Sequence, residues 1–391
     1  MSKTRDKTQR FTRIHLENWR NFKKVDVNLQ QRVFLVGPNA SGKSNFLDAF
    51  RFLHDIVSPS GGFQVAVQKR GDVESLRCKA SRNQKPIIVD ATIGNDANPN
   101  EWEYALHINR RRLQPNIRAE KVYENGKPVS ERPDAKDKVD EKRLTQTFLE
   151  QSHANLKFRA IADYFETIKY LHVIPQVIRE PEIFIDSCGD RQFFADYGSE
   201  FIDEIQSSAD DNGKNFIEIA NSILRIAVPQ LEKLYVDEGG WGEKHLYVKF
   251  KHWLKEHPAH DEKLLSDGTI RLLALIWTLL KGKGPLLLEE PELSLHPGVI
   301  RYIPQVLYKF QRIYNRQIII STHSSDLLQD EGIGLDEVLL LIPSDEGTVV
   351  KPASDFDEIR LLLEGGLNLA DAVFPMTQPE DAHRLPIFGE D

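Results

Sequence analysis

The chain has 391 residues, of which 40% are hydrophobic, and its formal net charge at pH 7 is −8. This length gives room for one large α/β domain with insertions or for two domains, and the negative charge argues against a protein that coats DNA indiscriminately. Cys78 and Cys188 are its only cysteines, which excludes a disulfide framework and a zinc site built from cysteine pairs. The polar Met1–Arg10 and the short apolar helical runs predict a cytoplasmic protein without a membrane span.

The first predicted site lies between a strand and a helix near the N-terminus. Val33–Val36 is an apolar run typical of a buried strand, and Asn45–Leu53 begins a predicted helix. Between them, the sequence GPNASGKS at Gly37–Ser44 fits the phosphate-binding loop pattern. Its backbone N–H groups and the helix N-terminus would bind phosphate oxygens, Lys43 would neutralise the β and γ phosphates, and Ser44 would bind Mg²⁺. We therefore predict ATP and Mg²⁺ as cofactors.

A β-rich segment is predicted after this helix. Alternating and β-branched stretches within Val65–Leu113, such as Pro86–Ile93 and Trp102–Ile108, predict antiparallel strands that cover one sheet face. The basic residues of this segment are candidates for a nucleic-acid-binding surface, although a solvated strand end is the commoner explanation. They are Lys69, Arg70, Arg77, Lys79, Arg82, Lys85 and Arg110–Arg112. Ser130–Arg143 is mostly charged and lacks a core pattern, so we expect an exposed excursion there.

The middle of the chain predicts a helical insertion. Ser199–Ile205 and Phe216–Ile226 have apolar residues at helical spacing, and the polar Asp210–Gly213 separates them. A short helical arm or lid is our interpretation. Packing of these helices against the core is the alternative.

A second anion-binding helix terminus is predicted downstream. Ser266–Thr269 precedes a long apolar helix, Arg271–Leu280, and the free N–H groups at a helix start attract anions. Ser266 and Gly268 are the candidate contacts. Because the chain already has a phosphate loop, we interpret this second terminus as binding the ATP of a partner chain. An ordinary capped core helix is the alternative.

Two adjacent acids, Glu289 and Glu290, follow the run Pro285–Leu288, as expected of a buried strand that delivers carboxylates to a sheet edge. Glu289 is the candidate for the Mg²⁺ shell, and Glu290 is the candidate that polarises the attacking water. Adjacent strand residues point to opposite sides, so the two can divide these roles only if the strand ends between them and turns at Pro291. A solvated acidic turn is the alternative.

A histidine, His323, closes another predicted core strand that begins with Ile318–Ile320. Lone histidines in such places are usually structural, but strand ends of open α/β sheets face the ligand. Because its ring nitrogens can donate and accept hydrogen bonds, His323 could contact the γ-phosphate and report hydrolysis. We group it with Lys43 and Glu290 as candidate catalytic residues.

The motifs and their order resemble the ABC-type ATPase heads of the RecF, OLD and SMC group of AAA-family proteins. The resemblance implies an α/β fold, a P-loop NTPase head with a mixed or parallel core sheet, an antiparallel β layer and a helical insertion. It also implies head-to-head homodimers in which each ATP lies between the phosphate loop of one chain and the signature motif of the other. The segments that resemble the family are Ile14–Phe22, Asn39–Ala49, Leu265–Thr269, Glu289–Glu292, Leu293–His296 and Thr322–Ser324.

The resemblance also implies the set of nucleotide contacts and metal ligands. Glu289 stands where the family usually has Asp, which predicts slow or gated turnover. The glutamine that would join Ser44 and Glu289 at the metal is not obvious. Gln176 is our candidate, and a solvated glutamine after a strand is the alternative. The candidate nucleotide contacts are Arg20, Asn21, Gly37, Pro38, Asn39, Ala40, Ser41, Gly42, Lys43, Ser44, Asn45, Ser266 and Gly268.

We predict that residues 1–186 and 263–345 form the two halves of the head, 187–262 the helical arm, and 346–391 a C-terminal extension ending in a surface tail. The expected function is an ATP-driven switch in DNA maintenance or antiviral defence that acts on double-stranded DNA or on a separately encoded effector, without a membrane partner. A weakly hydrolysing scaffold and a transporter ATPase subunit are the alternatives. OLD-type relatives carry a Toprim nuclease after the head, and we expect none here.

Overall fold

The computed structural model of the chain describes residues 9–81, 85–112, 114–180, 183, 196–198, 200–207, 211–238, 244–251 and 259–378. Contacts divide the chain into two compact units. The first unit contains Met1–Lys169, Lys283–Leu287 and Gln311–Asp391, and the second contains Tyr170–Gly282 and Leu288–Phe310. Several residues singled out in the sequence lie outside the described residues, namely Arg82, Cys188, Ser199, Asp210 and the tail from residue 379 onward.

The strands of the described residues are β1 Arg10–Trp19, β2 Phe22–Asn28, β3 Arg32–Val36, β4 Ile87–Gly94, β5 Trp102–Arg111, β6 Gln114–Glu124, β7 Lys127–Arg132, β8 Lys169–Leu171, β9 Leu231–Glu238, β10 Lys244–Phe250, β11 Leu286–Glu289, β12 Ile318–Thr322, β13 Val338–Ile342 and β14 Val349–Pro352. The strand orders of their sheets are β2-β1-β4-β5-β6-β7, β10-β9 and β14-β13-β3-β12-β11-β8.

The α-helices of the described residues are α1 Lys43–Val57, α2 Phe63–Gln68, α3 Val73–Leu76, α4 Ala135–Val139, α5 Arg159–Glu166, α6 Pro175–Arg179, α7 Phe201–Ser207, α8 Asp211–Ala227, α9 Asp267–Leu280, α10 Pro297–Ile300, α11 Ile303–Tyr314, α12 Asp357–Glu364 and α13 Leu369–Val373. Short 3₁₀ segments lie at Glu141–Thr145, Glu262–Leu264, Asp326–Gln329, Leu335–Glu337, Ala353–Asp355 and Phe374–Thr377. Within the part of the chain that the structure describes, no helix has both the length and the apolar character needed to cross a bilayer.

The sheet β2-β1-β4-β5-β6-β7 belongs to the first unit and is antiparallel throughout. In β5, Trp102, Tyr104, Leu106 and Ile108 are buried while the residues between them are more exposed. This alternation places one face on the core and the other toward solvent. The predicted antiparallel layer is therefore present, and the predicted strands correspond to β4 and β5.

The start of the predicted β-rich segment is helical instead. Phe63–Gln68 forms α2, in which Val67 is buried, although valine favours strands by propensity. Asp72 caps α3 by accepting a hydrogen bond from the backbone N–H of Ser75. Burial of one helix face and local capping therefore override the β propensity of this stretch.

The sheet that contains β3 is mixed. β3 pairs in parallel with both β12 and β13, and β14 joins β13 in the antiparallel sense. All residues of β3 and β12 are buried, as expected of parallel strands covered on both faces. Because Val36 lies opposite Thr322, the carboxyl ends of β3 and β12 reach the same edge of the sheet.

The helices of the predicted arm pack within the second unit. Phe216 of α8 meets Trp277 of α9 in an edge-to-face contact, with ring centroids 5.0 Å apart. The indole N–H of Trp277 donates to Glu204 Oε2 of α7 at 2.8 Å. These contacts favour the alternative in which the helices pack against the core of their unit. The hairpin β9–β10, with Tyr235 stacked on Tyr247, was not predicted.

Most of Ser130–Arg143 is exposed or half-buried, as predicted, but two charged residues within it are buried. Arg132 and Asp137 are each only 1% exposed. The Arg132 guanidinium donates to Asp137 Oδ1 at 2.9 Å and to Glu120 Oε2 at 3.4 Å, and it lies 4.0 Å from the ring centroid of Phe148. These two side chains are buried because their charges compensate one another and that of Glu120.

The two carboxyl groups of this cluster respond differently to burial. Burial raises the pKa of Glu120 above its ordinary value, although the backbone N–H groups of Phe148 and Leu149 donate to it. Burial alone would also raise the pKa of Asp137, but the hydrogen bonds from Arg132 bring that pKa below its ordinary value. Arg132 is therefore the group that keeps the Asp137 carboxylate charged in the interior.

We expect Arg132→Met to lower the free energy of unfolding by about 3–5 kcal/mol, because Glu120 loses its cation and Asp137 keeps only Arg143, whose Nε lies 3.5 Å from Oδ1. The matched control is Arg111→Met, which breaks the exposed pair with Glu141; it should cost less than about 1 kcal/mol. Urea unfolding followed by intrinsic fluorescence measures both. Equal losses for the two variants would contradict the structural role of Arg132.

Candidate functional site

The loop after β3 has the backbone geometry of an anion-binding site. It turns through left-handed Ala40, with φ 61°, and Gly42, with φ 96°, and enters α1 at Lys43. The first turn of α1 contains no acidic residue, and no side chain caps it. Its N–H groups therefore keep the positive end of the helix dipole, which attracts anions. Ser44 lies exposed in this turn, where its hydroxyl can meet a ligand.

Two glycines of the loop are required by close contacts. A Cβ atom on Gly37 would lie 2.6 Å from the backbone oxygen of Leu341. A Cβ atom on Gly42 would lie 2.2 Å from Asn21 Nδ2, and its left-handed backbone adds strain for any other residue. The positions of these two glycines are thus explained by the packing of the loop against Leu341 and Asn21.

Lys43 and His323 are brought together at the end of the parallel strands. Lys43 Nζ donates to the carbonyl oxygens of Gly37 and Pro38 at 3.0 and 3.2 Å. It also lies 2.6 Å from His323 Nε2. An ammonium group only donates, so Nε2 must accept in this contact and the ring hydrogen must be on Nδ1. Lys43 is buried, whereas His323 is exposed.

Asn21 connects the loop to the rest of its unit. Its Nδ2 donates to the carbonyl oxygen of Ser41 and to Thr348 Oγ1, both at 2.8 Å, and its Oδ1 accepts from Asn45 Nδ2 at 2.9 Å. The predicted residues Asn21, Ser41 and Asn45 therefore lie together. Thr348 was not predicted, since it is distant in sequence and lies in no recognisable motif.

Arg20 lies beside the loop, and its described contacts are with the protein. Its Nη1 donates to the carbonyl oxygen of Ser75 at 3.2 Å, and its Nη2 donates to Asp48 Oδ2 at 3.4 Å. Asp48 also pairs with Arg70 at 2.8 Å. A contact between Arg20 and a nucleotide stays a prediction, as do the contacts of Pro38 and Asn39.

In the second unit, the paired acids lie where a strand ends. β11 ends at Glu289, and Glu290 has a left-handed backbone with φ 45°. The strand therefore ends between the two acids, as their division of roles requires. The hydroxyl of Tyr170 donates to Glu289 Oε2, and His172 Nδ1 lies 3.4 Å from the Glu289 carbonyl oxygen. Tyr170 was not predicted, because nothing in the local sequence links it to Glu289.

The predicted signature segment begins a helix. Ser266 is the N-cap of α9, and its Oγ accepts from the backbone N–H of Thr269 at 3.3 Å while remaining exposed. A Cβ atom on Gly268 would lie 2.5 Å from the backbone oxygen of Ser294, so only glycine permits this approach. Arg179 Nη2 donates to Leu265 O at 2.7 Å and to Asp267 Oδ1 at 2.6 Å. Arg179 is a further supporting residue that the sequence did not indicate.

Arg271 lies on α9 beyond this segment. Burial lowers the pKa of its guanidinium group, while the carboxylates of Asp267, Glu290 and Glu292 oppose that shift. The α9 helix therefore contributes a positive charge in the same unit as the paired acids.

Gln176 lies exposed on α6, between buried Pro175 and Val177. This placement does not test its predicted role as a metal ligand, which stays a prediction.

Most members of the predicted basic surface are paired with carboxylates. Arg70 contacts Asp48 and Asp55. The other ion pairs are Lys69–Asp55, Arg77–Glu74, Arg110–Glu74 and Arg111–Glu141. These pairs offset part of the positive charge of this surface, and Lys79, Lys85 and Arg112 are in none of the pairs just named.

The donor chemistry of the candidate metal ligands suits Mg²⁺. Ser44 offers a hydroxyl oxygen, and Glu289 offers a carboxylate oxygen, which are the ligand types that this ion prefers. Among the described residues, no group of three or more His, Cys, Asp or Glu side chains could hold a metal ion. Proteins commonly bind Mg²⁺ through one or two carboxylates together with substrate phosphates, so each of the two residues, taken by itself, offers a donor type that suits an ion arriving with a nucleotide.

The chain matches a family model and a short stretch of a curated protein. A family model described as "AAA domain, putative AbiEii toxin, Type IV TA system" matches residues 32–329. Over 54 residues the chain is 48% identical to "Endonuclease GajA" of Bacillus cereus (strain VD045), a match that covers 14% of this chain and 9% of that protein. The match thus spans a small fraction of the relative.

The chain was also compared with solved structures of SMC heads. An SMC head bound to the C-winged helix domain of ScpA has a TM-score of 0.52 at 15% identity and covers 87% of this chain and 97% of that chain. An SMC head domain from Thermotoga maritima has a TM-score of 0.46 at 15% identity, with 88% and 98% coverage. The first similarity confirms the predicted α/β fold of an ABC-type ATPase head.

We expect Asn21→Ala to weaken ATP binding about tenfold, because hydrogen bonds that shape the phosphate loop are lost and each contributes about 0.5–1.5 kcal/mol. Titration calorimetry with ATP measures the dissociation constant. Asn28→Ala, an exposed change on β2, is the matched control and should leave affinity unchanged. Equal affinities for the two variants would show that Asn21 does not support the loop.

Proposed function

The chain belongs to the AAA domain family whose model matches residues 32–329, and from this we propose that it binds ATP with Mg²⁺ and hydrolyses it as a conformational switch. The observation that most supports this function is the phosphate loop. An uncompensated helix N-terminus, the buried Lys43 and His323 lie at one sheet edge, and Lys43 Nζ contacts His323 Nε2 at 2.6 Å. Such an edge is where α/β sheets bind nucleotides.

Each candidate residue then has a role in this proposal. Lys43 neutralises the β and γ phosphates, and Ser44 and Glu289 hold the ion that accompanies them. Glu290 orients and polarises the attacking water. His323 contacts the γ-phosphate and responds to its loss. Bound Mg²⁺ would neutralise charge that develops on the phosphate oxygens.

The second anion-binding terminus supports an ATP-dependent homodimer. Ser266 caps α9 and stays exposed, and Gly268 lets the Ser294 backbone approach closely, so the helix start is presented at the surface of its unit. We propose that it contacts the nucleotide held by a partner chain. The two chains of the homodimer would then close around two nucleotides only when ATP is bound.

The biological setting follows from the resemblance. We propose that the protein acts in the cytoplasm, in DNA maintenance or antiviral defence, by gating double-stranded DNA or a separately encoded effector. The short match to an endonuclease supports a connection with nucleic-acid processing. The carboxylate-paired arginines favour the effector over direct DNA binding through that surface.

A weakly hydrolysing scaffold is the second candidate function. Glu289 replaces the usual Asp, and its carboxylate is engaged by Tyr170. A metal ligand displaced by the longer side chain slows turnover without preventing nucleotide binding.

We expect Glu290→Gln to lower the turnover number for ATP by about 10²-fold or more, since it removes the group that polarises water. Lys43→Ala should instead abolish ATP binding. Steady-state phosphate release with and without double-stranded DNA measures turnover, and Glu331→Gln, an exposed change, is the control. Unchanged turnover in Glu290→Gln would support the scaffold function.

Dimer formation is tested separately by light scattering during size-exclusion chromatography. With ATP, Glu290→Gln should run as a dimer, because it retains the nucleotide. Adding Ser266→Arg should return it to a monomer without loss of ATP binding, since the bulky side chain blocks the second contact. A dimer that persists in the double variant would contradict the proposed role of Ser266.

A further inference from the structure

The carboxylate predicted to lie nearest the metal is held by a residue on another strand. Glu289 is the last residue of β11, and Tyr170 is the middle residue of β8. The Tyr170 hydroxyl donates to Glu289 Oε2. Two residues further along, His172 Nδ1 lies 3.4 Å from the Glu289 carbonyl oxygen. The segment that includes β8 therefore contacts Glu289 at both its side chain and its backbone.

We propose that Tyr170 is a positioning residue that fixes the Glu289 carboxylate for a divalent cation bound with the nucleotide. This inference rests on the proposed function. A phenol can donate one hydrogen bond, and with Oε2 held by that bond the last torsion of the glutamate side chain is restricted. The other oxygen, Oε1, then has a defined position relative to β11.

The length of the glutamate side chain explains why a hydrogen bond from Tyr170 would matter. Glutamate has one more rotatable bond than aspartate, so an unrestrained Glu289 would lose more conformational freedom on binding an ion. Mg²⁺ requires near-ideal octahedral geometry at short distances, so a carboxylate that samples several rotamers is a poor ligand. Tyr170 compensates for the longer side chain by restricting it before the ion arrives.

The arrangement also predicts that Tyr170 and Glu289 act as a pair. Shortening Glu289 to Asp withdraws the carboxylate from β8 by about one bond length, about 1.5 Å, which breaks the contact with the phenol. Removing the hydroxyl from Tyr170 breaks the same contact from the other side. Tyr170→Phe should therefore weaken metal binding when residue 289 is Glu, and it should have little effect when residue 289 is Asp.

The test uses Mn²⁺ as a spectroscopic substitute for Mg²⁺ in the presence of a non-hydrolysable ATP analogue. Free Mn²⁺ is measured by electron paramagnetic resonance for the full chain and for Tyr170→Phe, Glu289→Asp and the double variant. Tyr170→Phe should raise the Mn²⁺ dissociation constant about tenfold, which is the lower end of the usual effect of residues that orient a metal ligand. In the Glu289→Asp background, the same change should have less than about a twofold effect, because the contact is already lost.

Controls separate positioning from a general structural role. Tyr302→Phe alters an exposed tyrosine of the same unit and should leave the Mn²⁺ dissociation constant unchanged. Binding of the ATP analogue in EDTA should be the same for Tyr170→Phe and the original chain, since the phenol acts on the metal ligand only. A loss of analogue binding in EDTA would overturn the proposal in favour of a structural role.

The outcomes also distinguish this inference from the proposed function. If the original chain fails to bind the Mn²⁺–nucleotide complex, the proposed function itself is wrong. If it binds, but Tyr170→Phe binds Mn²⁺ equally well, only the role of Tyr170 is overturned. Equal effects of Tyr170→Phe with Glu or Asp at position 289 would likewise overturn it, because the two residues would then act independently. Should Tyr170→Phe fail to fold, Glu289→Gln, which keeps the length but loses the charge of the acceptor, must still weaken Mn²⁺ binding for the proposal to stand.

Discussion

The parallel pairing of β3 with β12 is the constraint on which the candidate site depends. Both strands are buried along their length, and Val36 lies opposite Thr322, so Gly37 and His323 are the next residues at the same sheet edge. A register slip of one residue would exchange the two faces of β12 and remove His323 from this position. The contact between Lys43 Nζ and His323 Nε2 thus depends on the sheet as much as on the loop.

The present partners of Lys43 explain how a phosphate could engage it. Two backbone carbonyls and the imidazole of His323 lie around the ammonium group and keep this buried cation hydrogen-bonded. A phosphate oxygen carries negative charge and forms stronger hydrogen bonds to an ammonium group than a neutral acceptor does. In the proposed function, nucleotide binding would therefore draw Lys43 toward the phosphate and change the contact of His323 in the same step.

Local patterns in the sequence were sufficient to predict the strands and helices of the candidate site and the residues at which they begin or end. Continuous apolar runs predicted β3 and β12, the glycine and lysine spacing predicted the loop, and Ser266 predicted the start of α9. The contacts that support these residues were not predictable, because they join distant parts of the chain. Tyr170 and Glu289 are 119 residues apart, and no periodicity connects them.

The same limit explains the error at Arg132. A run of charges is usually solvated, and its sequence alone does not show that Glu120 will lie opposite Arg132. That pairing arises only once β6 and β7 are in register. The helices α2 and α3 were missed for a related reason, since their burial and capping outweigh the β propensity of their valines.

The hydrogen bonds between Asn21 and Thr348, which support the phosphate loop, have a consequence for folding during synthesis. Thr348 bonds to Asn21 through its side chain at 2.8 Å and through its backbone N–H at 2.9 Å, and β3 itself lies between β12 and β13. During synthesis the phosphate loop leaves the ribosome well before β12, β13 and Thr348 do. The nascent chain therefore contains the loop sequence before the residues that fix the loop conformation are available. In the proposed function, ATP would therefore stabilise only a chain in which Thr348 and β13 have already formed these contacts.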